Sequence, residues 1–123
     1  MPPSILVIDD STMVRKQVGT ALKAQGYTVV EAVDGVDALS KLEAHPETRL
    51  VVCDVNMPRM NGLEFLEQLS ARKHSLPVVM LTTEGQPELI QRAKALGAVG
   101  WLVKPFKPEF LLATAKKLAP TGT

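Results

Sequence analysis

Four short apolar runs in this chain each stop on residues that carry charge or a hydroxyl. Leu50-Val51-Val52-Cys53 stops on Asp54, Ile5-Leu6-Val7-Ile8 on Asp9-Asp10, Val78-Val79-Met80-Leu81 on Thr82-Thr83-Glu84-Gly85, and Gly100-Trp101-Leu102-Val103 on Lys104-Pro105-Phe106. Continuous, largely β-branched runs of this length read as strands buried on both faces, and such strands belong to parallel sheets covered by helices. Ligands bind these sheets at the carboxyl ends of the strands. Carboxylates, a hydroxyl and an ammonium at that edge are therefore candidates for chemistry before any other consideration.

Where the strands before Asp9-Asp10 and Asp54 are neighbours, three ionised aspartates and Lys104 give −3 + 1 = −2 in one cleft. A half-buried cleft does not hold that charge uncompensated, and a divalent cation balances it. Carboxylate oxygens, a backbone carbonyl and water suit Mg2+, and no His or Cys is placed to make a zinc site. An exposed carboxylate beside a cation, a hydroxyl and an ammonium binds the three oxygens of a phosphoryl group in transit. Asp54 is then the nucleophile that forms an acyl phosphate.

The elements that must position these groups alternate regularly. After Asp10, Ser11 or Thr12 caps a helix whose inner stripe is Val14, Val18, Ala21, Leu22 and Ala24, ended by Gly26. Tyr27 to Ala32 reads as a strand, Asp34-Gly35 as a turn, and Val36 to Ala44 as a second helix with Leu39 and Leu42 inward. Pro58 and Asn61-Gly62 mark a loop before a third helix with Phe65, Leu66 and Leu69 inward. Pro87 to Leu96 is a fourth helix with Leu89, Ile90, Ala93 and Leu96 inward and Gly97 as its stop. The fifth starts at Pro108, carries Leu111, Leu112, Ala115 and Leu118, and ends at Pro120. Five strands alternating with five helices imply an α/β fold, a doubly wound parallel sheet with right-handed crossovers. The order 2-1-3-4-5, flavodoxin-like (βα)5, is taken from a known example of this fold class rather than derived from the residues.

Composition narrows the function. The 123 residues fit one domain, with 1–4 a lead-in and 120–123 a polar tail or the start of a linker. Net charge is +1 and the basic residues are scattered, so neither a nucleic-acid stripe nor a polybasic membrane patch stands out. The single cysteine, Cys53, lies inside an apolar run and reads as a buried thiol in a reducing compartment. Met1-Pro2-Pro3-Ser4 lacks the pattern of a signal peptide, and no apolar run approaches the ~20 residues that span a bilayer. A cytoplasmic protein without membrane insertion is the expectation.

Asp9-Asp10, Asp54 followed by Met57-Pro58 and Asn61-Gly62, Thr82, and Lys104-Pro105-Phe106 together closely resemble the receiver domain of two-component response regulators, over essentially the whole chain. The resemblance implies that Asp54 accepts phosphate from the phosphohistidine of a sensor histidine kinase. It implies that Asp10, Asp54 and the backbone carbonyl of Asn56 hold Mg2+, with Asp9 acting through water. Lys104 and Thr82 would each contact a phosphoryl oxygen, and Trp101 would turn inward as Thr82 moves. The Lys104-Pro105 bond would be cis. Trp101 stands where Tyr or Phe is usual, and Thr83 where Ala or Gly is common. Asn56 and Glu84 resemble the pair that tunes acyl-phosphate lifetime in chemotaxis-type single-domain regulators. Helix four, strand five and helix five, including Gln91, Lys94, Trp101, Lys107 and Lys116, would meet a downstream target protein. The protein would be a monomer or a weak phosphorylation-dependent dimer. His45 and His74 fall in surface loops with no part in phosphotransfer.

Other readings compete. A haloacid-dehalogenase-like phosphatase also uses a strand-end Asp with Mg2+, but carries Asp-x-Asp where this chain has adjacent Asp9-Asp10. A flavodoxin needs an uncharged Ser/Thr-rich phosphate loop where this chain has two acids. A phosphorylation-independent receiver scaffold need not keep every acceptor residue. Two acids at the start of a helix are also favoured by its macrodipole; Asp54 and Lys104 weigh against that as the whole explanation.

Overall fold

The computed structural model describes residues 3–57, 60–72, 76–82, 87–104 and 107–120. Among them five strands and five helices alternate: β1 Ser4–Ile8, α1 Thr12–Ala24, β2 Thr28–Ala32, α2 Gly35–Ala44, β3 Thr48–Asp54, α3 Gly62–Ala71, β4 Val78–Thr82, α4 Pro87–Ala95, β5 Ala98–Val103 and α5 Pro108–Leu118. All strand pairs are parallel and the order is β2-β1-β3-β4-β5, as expected for the flavodoxin-like arrangement.

The unbroken apolar runs are explained by what covers the sheet. Side chains alternate across a strand. Leu6, Ile8, Val51, Cys53, Val78 and Met80 pack on one face with Leu39 and Leu42 of α2, Phe65 and Leu66 of α3 and Ala93 of α4. Ile5, Val7, Leu50, Val52, Val79 and Leu81 pack on the other with Val18 and Leu22 of α1 and Leu111 and Ala115 of α5. Every one of these strand residues is buried, so a polar residue in any of the three central strands would lose water on whichever side it faced.

The helix ends follow their sequence signals. Ser11 is the cap of α1, its hydroxyl accepting from the N–H of Val14. Asp34 and Gly35 do not form a free turn. Asp34 caps α2 by accepting from the N–H of Asp37, and Gly35 is already helical. Asn61 and Glu64 form a reciprocal capping box on α3, an arrangement whose loss costs about 1 kcal/mol. Gly97 takes φ +109°, the left-handed geometry that ends α4.

Several boundaries differ from the sequence reading. Ala24 is exposed, because two residues beyond the fully buried Leu22 the helix has turned to its outer face. Leu96 lies just beyond α4 but still packs on the core. The second strand starts at Thr28. β3 starts at Thr48 and β5 at Ala98, each two residues before the apolar run that marks it. In both cases polar or exposed residues enter a backbone ladder through hydrogen bonds that do not depend on side-chain type.

The end of α5 is tied to the sheet's amino edge by Tyr27, whose hydroxyl donates to the carbonyl of Ala119 at 2.7 Å in a buried setting. Tyr27→Phe keeps the ring and orphans that carbonyl. It is expected to cost about 1 kcal/mol in urea unfolding, with no effect on the opposite edge. Among the described residues no helix is long and apolar enough to cross a membrane.

Candidate functional site

The sheet register assembles the site. Ile8 of β1 pairs with Cys53 of β3, so Asp9 and Asp54 leave adjacent strand tips side by side. Asp54 pairs with Leu81, which puts Thr82 one step beyond it on β4, and Val103 pairs with Thr82, so Lys104 follows next. The Lys104 N–H donates to the Thr82 carbonyl at 2.6 Å, extending the ladder by one bond. From there the lysine side chain reaches back across the edge. Its Nζ lies 2.8 Å from Asp9 Oδ2 and 3.2 Å from Asp54 Oδ1.

One carboxylate oxygen from each of Asp9, Asp10 and Asp54 lies within 4.8 Å of the others. The accessibility is opposite to the sequence expectation at one position. Asp54 is only 5% exposed and Asp9 1%, and it is Asp10 that faces solvent. The last side chain of a strand stays inside the edge, whereas the second residue of the turn does not.

Burial raises the pKa of Asp54, and the charges of Asp9 and then Asp10 push the same way against the opposing effect of Lys104. Burial alone would lower Lys104. Its hydrogen bond to Asp9 and the charges of Asp54 and Asp9 outweigh that and hold it above its usual value. Cys53, fully buried under the acids, has its thiol pKa pushed well up by burial, then by Asp54 and Asp9. It is the inert thiol expected from its apolar run.

A folded-state pKa raised above the unfolded one means that ionising Asp54 costs stability. The penalty is absent below the unfolded carboxylate pKa, sets in as pH rises through the folded pKa, and is complete above it. In magnesium-free buffer containing chelator, Asp54→Asn is therefore expected to be more stable than the parent at pH 8. That advantage should shrink as pH falls through the carboxylate range, as read by urea unfolding at each pH.

The residues fit Mg2+. Carboxylates about 5 Å apart repel by on the order of 3 kcal/mol per pair at a near-surface effective dielectric, and Lys104 is one cation among three acids. The donors are hard oxygens, and exposed Asp10 keeps the cluster open to water, as Mg2+ requires.

Other residues singled out in the sequence lie nearby. Thr82 is fully buried at the tip of β4. Asn56 is exposed two residues after Asp54. Trp101, opposite Met80 on β5, is half-buried and packs on the α2–α3–α4 side, its Nε1 shielded and without a hydrogen-bond partner among the described residues. Gln91, Lys94, Lys107 and Lys116 are exposed, and His45 sits at the C-cap of α2 facing Glu47. Thr83, Glu84, His74, Pro58, Phe106 and the Lys104–Pro105 peptide bond lie outside the described residues. A groove of about 530 Å3, lined by Leu66, Leu69, Leu76 and Val99 among others, opens at the amino ends of β4 and β5, away from the acids.

Sequence reasoning passed over Arg15. Its guanidinium donates to the Asp9 main-chain carbonyl at 2.6 Å, to Thr12 Oγ1 and to Glu31 of β2. A lone arginine on a helix carries no signal of this kind.

This fold and edge define a doubly wound α/β protein with an acid-and-lysine cluster suited to phosphoryl chemistry. A family model described as the response regulator receiver domain matches residues 5–116, and the chain belongs to that family. It is 41% identical over 111 residues to chemotaxis protein CheY1 of Helicobacter pylori, covering 87% of this chain and 89% of that one. Among solved structures, chemotaxis protein CheY4 of Vibrio cholerae superposes with a TM-score of 0.88 at 42% identity, covering 96% and 99% of the two chains. CheY in the CheX–CheY–BeF3–Mg2+ complex of Borrelia burgdorferi gives a TM-score of 0.89 at 27% identity, covering 95% and 89%. The protein is thus a chemotaxis-type receiver domain, with three acids grouped closely enough to hold a divalent cation.

Proposed function

We infer that Asp54 is the phosphate acceptor and that a sensor histidine kinase is the donor. The observation that carries this reading is the gathering of Asp54, Asp9 and Asp10 carboxylate oxygens within 4.8 Å of one another, with the Lys104 ammonium 3.2 Å from Asp54. An Asp54 oxygen attacks the phosphorus of the phosphohistidine, and the P–N bond breaks with its electron pair returning to the imidazole nitrogen. Lys104 exchanges its contact with Asp54 for one to a phosphoryl oxygen, and the Thr82 hydroxyl donates to another. Asp10, Asp54 and the Asn56 carbonyl would hold Mg2+, with Asp9 acting through water, and the bound ion would supply positive charge to offset the acids and the incoming oxygens. Attack of water on the same phosphorus returns Asp54 to a free carboxylate and releases inorganic phosphate.

Thr82 and Trp101 form the switch in this reading, and Asn56, Thr83 and Glu84 set how long the phosphate lasts. The face of α4, β5 and α5 meets a downstream protein. Its exposed Lys94, Lys107 and Lys116 suit an acidic partner surface, with no nucleic acid involved. The chain acts as one receiver domain, as a monomer or a weak phosphorylation-dependent dimer.

Acetyl phosphate supplies the donor without any kinase. Intact mass is expected to rise by one phosphoryl group with Mg2+ and to stay unchanged with chelator. A protein that remains unlabelled in excess Mg2+ and acetyl phosphate would remove the reading.

A further inference from the structure

We propose that Arg15 is a positioning residue for the metal-binding acids, acting through the main chain of Asp9. Asp9 has each of its polar groups engaged. Its N–H donates to the Ala32 carbonyl at 3.1 Å. Oδ1 accepts from the Ser11 N–H at 2.9 Å, and Oδ2 from Lys104 at 2.8 Å. Its carbonyl accepts from Arg15 Nη1 at 2.6 Å. That carbonyl belongs to the peptide joining Asp9 to Asp10. Asp10 itself is exposed, so the direction of its carboxylate is set by how firmly this peptide is held.

Arg15 is built for that task. Its side chain is only 11% exposed, and its Nε lies 3.1 Å from Glu31 Oε1 on β2 while Nη2 donates to Thr12 Oγ1 at 3.2 Å. The planar fork thus ties three elements, the β2 strand, the first turn of α1 and the β1–α1 turn, with one group. A hydrogen bond from a charged donor to a carbonyl is among the stronger kind. Metal sites depend on outer partners that hold their ligands in place, and loss of such a partner costs roughly 10-fold or more in metal affinity.

The inference rests on the reading of Asp10 and Asp54 as Mg2+ ligands, and the test separates the two. Mg2+ affinity is measured by titration calorimetry on the full chain, and the Mg2+ dependence of acetyl phosphate labelling by intact mass. Failure of the parent protein to bind Mg2+ would strike the underlying reading. With the parent binding, Arg15→Gln is expected to bind Mg2+ about 10-fold more weakly, with the labelling rate at saturating Mg2+ within about two-fold of the parent. Arg15→Lys, which keeps one donor for the Asp9 carbonyl, should recover most of the affinity. Glu31→Gln, which frees the fork from β2 but leaves the carbonyl bond, should fall between and carries the test if Arg15→Gln does not fold. Unchanged Mg2+ affinity in folded Arg15→Gln, or in Glu31→Gln where the former does not fold, overturns the proposal. So does a loss that Arg15→Lys fails to restore.

Discussion

Asp54→Asn is expected to lose phosphorylation by acetyl phosphate and Mg2+, by about 100-fold or more in labelling rate, since an amide oxygen carries no full charge and is a poor nucleophile. The fold gives the variant little reason to misassemble, because burial and the neighbouring acids already oppose the charge of Asp54. The remaining acids do not substitute readily. Asp9 is held by Ser11 and Lys104 on its two oxygens. Asp10 is exposed, on the outer side of the cluster and not against Lys104. Intact mass combined with peptide mapping of the hydroxylamine-sensitive acyl phosphate distinguishes the cases. Label retained on Asp10 or Asp9 at the parent rate would remove Asp54 from the role.

Gly62→Ala is the second large effect. A Cβ at Gly62 would meet the Asp54 carbonyl oxygen at 2.5 Å, Met80 Cε at 2.7 Å and Val55 Cα at 3.0 Å. The methionine tip can move, but the two backbone atoms belong to Asp54 at the end of β3 and to Val55 directly after it. The Gly62 N–H also donates to the Val55 carbonyl at 2.9 Å, so the helix start cannot simply lift away. Overpacking against main chain predicts a loss of about 3 kcal/mol, roughly 10 °C in the thermal midpoint of a domain this size. Labelling should fall as well, since relief comes by displacing the Asp54 peptide. Gly19→Ala serves as the contrast. Its Cβ would touch only the Val29 side chain at 3.5 Å, and in a helix interior alanine is favoured by up to about 1 kcal/mol. Equal thermal midpoints for the two variants would show that the close approach at Gly62 has no energetic weight.

Much of this was legible because the two signals reinforce each other. The runs Ile5–Ile8 and Val51–Cys53 are apolar on consecutive residues only because helices cover both faces of the sheet, and the carboxylates that follow mark where the cover ends. The partner residues needed the strand order, which pattern does not contain. It entered through resemblance, and the register then placed Lys104 beside Asp9 and Asp54. What stayed hidden depends on direction in space. Which aspartate faces outward is decided by the last turn of the backbone at each strand tip, and Asp54 and Asp10 look alike in a string of letters. Arg15 was hidden for the same reason, since its acceptor is a main-chain carbonyl. The early start of β3 was hidden because Thr48 and Arg49 are polar, and that of β5 because Ala98-Val99, although apolar, stand between Gly97 and Gly100, which read as breaks.

The site draws on four separate strands, since Asp54 and Thr82 end β3 and β4 while Asp9 and Lys104 directly follow β1 and β5. A slip of one residue in any of them would exchange the two sides of the sheet and carry its functional group out of reach. Competence to take up phosphate therefore certifies the alignment of nearly the whole sheet. During refolding it cannot precede the docking of the outermost strand that brings the lysine.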